Sequence, residues 1–318
     1  MKITFEVLLL IYAVLKCAVI NCPVLFAQDV ASTVEPARAA DVVFAPQLDS
    51  PAFPLGKGPV LRIDQAHRNF HTADGTYRPF AAFLARDGFR VERGLARLSA
   101  NTLKSCDILV IADAQPPARL GDSETFQPGE AVALRSWVEG GGALLLITDH
   151  MPDPPAIKPL AEAFGIEFHN GYAYGGRVPG GRQALVFKRT SKALAAHPIT
   201  DGSKPGERVD RVATFLGCAF RPGPDFKSLL TFEEGAHSFA PEQLYNFKPE
   251  TERLDIAGWS QGAVAHIGKG RVAVFGEAAM FTAQELQNGQ VKFGMNHPAG
   301  TQNARFLLNL VHWLVERE

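Results

Sequence analysis

Ala143-Leu144-Leu145-Leu146-Ile147-Thr148-Asp149-His150 decides how this chain is read. Three glycines, Gly140 to Gly142, precede the stretch, and an acid and an imidazole close it. A continuous apolar run bounded by turn residues reads as a strand buried on both faces of a parallel sheet. Two other stretches repeat the pattern. Val60-Leu61-Arg62-Ile63-Asp64 leads to His67, Asn69 and His71, and Arg271-Val272-Ala273-Val274-Phe275 leads to Gly276 and Glu277. Ligands of an open α/β sheet gather outside the carboxyl ends of its strands. The reading therefore predicts Asp64, His67, His71, Asp149, His150 and Glu277 at one sheet edge.

The intervening sequence supplies the helices. Phe80, Phe83 and Leu84 recur at helical spacing over residues 77–86, and Gly88 follows as a stop. Residues 89–92 and 107–112 read as further strands. Pro128 opens a helix to Val138, and 156–164 reads as another before a short strand at 166–168. This βα rhythm predicts an α/β fold with a doubly wound, mostly parallel sheet. From 170 to 256 glycine and proline become dense, and only short strands are expected, at 184–187, 212–220 and 229–232. That segment reads as a β-rich insertion. A hairpin, 263–267 with 271–275, and a closing helix over 301–315 complete the body.

The chain has 318 residues, 46% of them hydrophobic, and a formal net charge of -1. That supports a sizeable core and gives no basic face for nucleic acid. Lys2 and the apolar stretch to Ala27 read as a secretory signal peptide or an uncleaved membrane anchor. Lipid attachment at Cys22 is the less favoured reading, because Asn21 is large for such a site. Residues 28–56 read as a linker and 57–318 as one domain, which makes the protein exported (periplasmic or secreted) or anchored through the N-terminal segment alone. Cys106 and Cys218, beside or inside apolar runs, read as buried structural thiols.

The loop from Asp64 to Thr72 is dense in side chains that bind protons, metals or sugars. Histidine is the natural acid/base near neutral pH, and a neighbouring carboxylate fixes its tautomer. Asp149 and Glu277 are candidate general bases. Asp64 would orient a histidine, and His67, His71 and His150 would transfer protons. Asn69, Thr72, Gln284, Asn296 and Asn303 are candidates for binding substrate hydroxyls or carbonyls. The bland alternatives are turn and helix caps, with histidines bonded to their own loops. The donor set also suits zinc, iron or manganese, and whether a divalent transition metal binds is left open. A small-molecule or carbohydrate substrate fits the mixture of imidazole, amide and carboxylate.

The strings Ile63 to Gly75, Leu145 to Met151 and Gly276 to Gln284, with Gly294-Met295-Asn296, resemble the bacterial family with domain of unknown function DUF4350. The resemblance implies a flavodoxin-like fold of the class I glutamine amidotransferase-like type and implies no activity. Such amidotransferases carry a Gly-x-Cys-x-Gly elbow after the strand similar to 144–148. Here that place holds Thr148-Asp149-His150-Met151. Without the thiolate, glutaminase chemistry is excluded, and a hydrolase-like Asp/Glu/His site is the first expectation. The second is a non-catalytic glycan- or partner-binding module, since amidotransferase-like domains lacking the cysteine resemble parts of gliding-motility and intraflagellar-transport proteins.

Overall fold

A computed structural model describes residues 38–117, 124–176, 184–286 and 289–316. The expected leader, Cys22 and the linker up to residue 37 lie outside the described residues. Residues 37–318 form one compact unit. Among the described residues no helix is long and apolar enough to cross a membrane.

The elements that build the site are β1 (Val60–Asp64), α1 (Arg78–Arg86), β2 (Arg90–Gly94), β3 (Ile108–Ala112), α2 (Glu130–Glu139), β4 (Ala143–Ile147), α3 (Lys158–Ala163), β5 (Ser260–Ile267), β6 (Gly270–Phe275) and α4 (Asn303–Val315). The main sheet has nine strands and runs β2-β1-β3-β4-β6-β5 before shorter edge strands. The first five are mutually parallel. Counted along the chain they stand 2-1-3-4-5, the flavodoxin-like order, whose ligand crevice opens between the first and third strands.

Alternation along each strand makes two cores. Ile108, Val110 and Ala112 of β3, with Leu145 and Ile147 of β4, face α1 and α4 through Phe80, Phe83, Phe306 and Leu310. Leu109, Ile111, Leu144 and Leu146 face α2 and α3 through Leu134, Val138 and Leu160. Strands sandwiched this way need apolar residues at every position, which is why they read as unbroken hydrophobic runs.

Three expectations change in the structure. Residues 38–56 are packed, not a loose linker. Ala39 and Ala40 pair with Gln284 and Glu285, and Phe44, Leu48 and Phe53 lie against the core. The segment 170–256 is only partly an insertion. Phe220–Arg221 and Lys227–Thr231 extend the main sheet beside β5, while Tyr172–Gly175, Ala236–Ala240 and Glu252–Asp255 form a separate three-stranded sheet. The strand expected over 212–220 breaks into Arg211–Thr214 and Phe220–Arg221. Leu216 at φ 151° and Gly217 at φ 75° turn the chain out of the extended region there. A side chain at Gly217 would meet the Gly276 carbonyl at 2.2 Å and the Glu277 side chain at 2.7 Å, so this turn seats tightly against the end of β6.

Candidate functional site

Four parallel strands end in acids or lead directly into them. β1 ends in Asp64, Asp113 follows β3, Asp149 stands two residues beyond β4, and Glu277 two beyond β6. The structure sorts these acids into two groups.

The first group is closed. Asp64 is buried, and both its oxygens lie 2.9 Å from Nδ1 of His67. Nε2 of His67 lies 2.8 Å from Oε1 of Glu130, and Phe126 stacks on the ring at 4.3 Å. Carboxylates only accept, so both imidazole nitrogens donate and His67 is an imidazolium. Burial opposes that charge, but Asp64 and then Glu130 outweigh it and raise the His67 pKa. Burial likewise works against ionised Glu130. The amides of Gln127 (2.6 Å) and Leu98 (2.7 Å), then His67, prevail and lower its pKa. Asn69 donates to Asp64 and accepts from the Ala112 amide at 3.0 Å, tying the loop to β3. Asp64, His67 and Asn69 were expected in the reactive site. They instead form a satisfied ion cluster that holds the post-β1 loop, with Glu130 as the partner the sequence did not single out.

In the second group, acid faces acid. Asp113 and Asp153 are each 5% exposed. Each carboxyl bears on the other's protonation. Burial, then Asp153 and Asp149, push the Asp113 carboxyl well up. Burial and then Asp149 push Asp153 up to about 6. Like charges this close cannot all ionise. Oδ1 of Asp113, Oδ1 of Asp153 and Oγ1 of Thr148 have no hydrogen-bond partner among the described residues. Asp113 also holds φ 61°, a left-handed conformation costly for an L-residue and typical of functional strain. The sequence reading missed Asp113 and Asp153, although Asp113 follows a buried run just as Asp149 does.

Asp149 and His150 form the exposed lip, with side chains 15% and 17% exposed. Asp149 accepts from the His150 amide at 2.8 Å and the Ala278 amide at 3.1 Å, which places it against Glu277. Glu277 accepts from the amides of Ala279 (3.0 Å) and Met280 (2.8 Å). Burial and then Asp149 raise its pKa nonetheless. His150 meets the Met151 carbonyl through Nδ1 at 2.7 Å and the Tyr245 hydroxyl through Nε2 at 2.8 Å. His71 is buried against Tyr77 at 4.7 Å and bonded to Thr76 at 2.6 Å. Burial lowers its pKa to about 4, so it stands neutral beside the acids and is a weak base.

The remaining candidates lie elsewhere. Asn303 accepts from the Ala213 amide and donates to the carbonyls of Ala213 and Met280, a staple from α4 to its neighbours. Asn296 binds Asp41 and the Gln284 carbonyl, and Gln284 donates to Thr282. Thr72 accepts the Gly75 and Tyr77 amides through its carbonyl, closing a turn. Cys218 is buried, and burial followed by the acid cluster keeps its thiol well up. Burial pushes Cys106 up to about 12, so neither thiol is a nucleophile. Among the described residues no group of three or more His, Cys, Asp or Glu side chains is arranged to hold a metal ion.

No family model and no curated protein matches the chain. Solved structures do. The mmIFT52 N-terminal domain superposes with a TM-score of 0.57 at 12% identity, covering 81% of this chain and 98% of the other. Cytoplasmic Protein STM3548 from Salmonella typhimurium gives 0.51 at 13% identity over 82% of this chain and all of the other. At such identities the likeness is one of fold. What is shared is an α/β architecture around a mostly parallel central sheet.

Proposed function

We propose that the chain is a hydrolase-like protein working by carboxyl acid–base chemistry at the Asp113–Asp149–Asp153 cluster. A protonated carboxyl that can give a proton stands beside an ionised one that can take one, the division of labour that paired acids use. The observation that carries this is the burial of Asp113 and Asp153, each with an Oδ1 that has no partner among the described residues. Asp149 at the lip would take the proton of an attacking water, and the Asp113–Asp153 pair would protonate the leaving group. Glu277 sits behind Asp149, which accepts from the amide of the residue after it, Ala278.

The test is turnover of chromogenic glycosides, esters and amides by the full chain, with Asp113→Asn and Asp153→Asn as variants. Activity lost in both, with a pH limb near the Asp153 value of about 6, supports the reading. Activity that survives both substitutions overturns it. A second reading, a non-catalytic glycan- or partner-binding module, draws on the 46% exposed Tyr245 bonded to His150. Saturable binding with no turnover would favour it. We also place the chain with the DUF4350 proteins, on the strings quoted above, and read residues 1–27 as an export leader. N-terminal sequencing of the exported product checks the leader, and a chain retained in the cytosol counts against it.

A further inference from the structure

The three-stranded sheet beside His150 has its faces in an unusual arrangement. Pairing sets Tyr172 opposite Phe239 and Tyr174 opposite His237, and Phe239 and His237 opposite Arg253 and Asp255. Side chains alternate along strands, so these six share one face. The other face carries Ala173, Ser238 and Leu254, which turn to the core. The outward face of an antiparallel sheet is ordinarily polar. Here it is a bed of rings.

Residues 241–251 extend that bed. Phe247 packs on Tyr172 at 5.2 Å, Tyr174 at 5.9 Å and Phe239 at 6.2 Å. Tyr245 lies 5.1 Å from Tyr172 and 5.3 Å from His150. It holds φ 60°, a strained conformation for a tyrosine, and remains 46% exposed, with Leu244 beside it 50% exposed. Tyr172 and Tyr174 thus form a buried base, and Tyr245, Phe247, Phe239 and His237 present the accessible rim. His150 stacks on Tyr172 at 4.5 Å and neighbours Asp149 at 3.8 Å, so the bed runs directly into the acid cluster.

We propose that this aromatic face is a stacking subsite for a neutral oligosaccharide, delivering one sugar linkage to the acid cluster. This rests on the hydrolase reading above and names its substrate class. A pyranose ring has an apolar C–H face for the rings and a rim of hydroxyls for His237, Arg253 and Asp255. An acyl chain would leave those polar tips unused. A nucleic acid would also stack, but its phosphates would meet the carboxylates at Asp149. Uronic acids and sulfated glycans are disfavoured for the same reason.

Isothermal titration calorimetry on the full-length Asp113→Asn protein, with cello-, xylo-, manno-, malto- and chitohexaose as probes, tests the subsite while turnover is silent. At least one hexasaccharide should bind. Tyr245→Ala, added to Asp113→Asn, should weaken that binding about tenfold, as loss of an aromatic contact does. Tyr245→Phe in the same background keeps the ring and should stay within about threefold of the parent. Melting curves of each variant separate lost binding from lost fold. No binding of any probe, or binding unmoved by Tyr245→Ala, overturns the proposal. The two readings fail separately. Binding to Asp113→Asn with no cleavage by the wild type removes the hydrolase reading alone. Cleavage of non-sugar esters without sugar binding removes the subsite alone.

Discussion

The Asp64–His67–Glu130 group and the Asp113–Asp149–Asp153 group lie beyond neighbouring strands of one sheet and are both largely buried, yet their charges are treated in opposite ways. In the first, one imidazolium stands between two carboxylates, and backbone amides and an arginine take up the remaining lone pairs of Glu130. In the second, carboxyl faces carboxyl, and two buried oxygens have no partner among the described residues. Burying an unpaired charge is costly, so the second arrangement weakens the fold where the first does not. A protein that keeps such a liability at its strand ends is expected to use it.

The difference is broken most directly by isosteric neutralisation on each side. Asp113→Asn removes an ionisable group while leaving shape intact. Turnover on any substrate found should fall about 10²–10⁴-fold, the usual worth of a positioned acid or base. Asp64→Asn should leave kcat within about tenfold and act mainly on stability. Equal losses from the two variants, measured as kcat at a common pH and a temperature well below unfolding, would erase the functional distinction between the groups. The next effect is on folding. His67→Ala leaves Asp64 and Glu130 facing each other without their cation, and removing one partner of a buried ion group costs about 3–5 kcal/mol. Urea unfolding should show the loss as a lower midpoint with an unchanged slope.

How much of this was legible beforehand follows from the same contrast. The parallel strands announced themselves because burial on both faces demands apolar residues at every position, as in Ala143–Ile147. Asp149 and Glu277 could be placed because they follow such runs. The roles of Asp64 and His67 could not, because they depend on Glu130, which lies 63 residues beyond His67 and looks like an ordinary acid in a helix's first turn. Asp153 was hidden among Pro152, Pro154 and Pro155, where an acid reads as turn chemistry. Its meaning arises only from contact with Asp113 across two loops. The aromatic face escaped notice because Tyr172, Tyr174, Phe239 and Phe247 come from three segments of a region that reads as irregular. Only strand pairing brings them together.

Stability should also distinguish the groups by pH. Asp153 has a folded pKa of about 6, raised above the ordinary aspartate value of 3.8. The folded state therefore holds a proton that the unfolded chain has released between these values, and stability falls as pH rises through that window. Asp153→Asn removes the dependence and should stabilise the protein at pH 7. Its melting temperature should exceed wild type at pH 7 and converge with it near pH 4. A variant less stable than wild type at pH 7 would show that the pair is compensated after all. His67 works in another window. Its raised pKa gives stability that is complete below about 6.5 and is lost as pH rises through the higher folded value. Glu130, with its lowered pKa, gives stability present above the ordinary glutamate value of 4.5 and lost as pH falls below it.

The smallest effect sharpens the account of what compensates the first group. Arg97 places Nη1 2.9 Å from Oε2 of Glu130, but its side chain is 47% exposed while that of His67 is fully buried. An exposed guanidinium is screened by water and salt, whereas the imidazolium is not. Arg97→Ala should therefore cost no more than about 1 kcal/mol, and 1 M NaCl should remove most of that difference. His67→Ala should keep its full penalty in salt. If Arg97→Ala instead matched His67→Ala, the charge balancing Glu130 would come from the surface, and burial of the imidazolium would no longer explain why this group is closed.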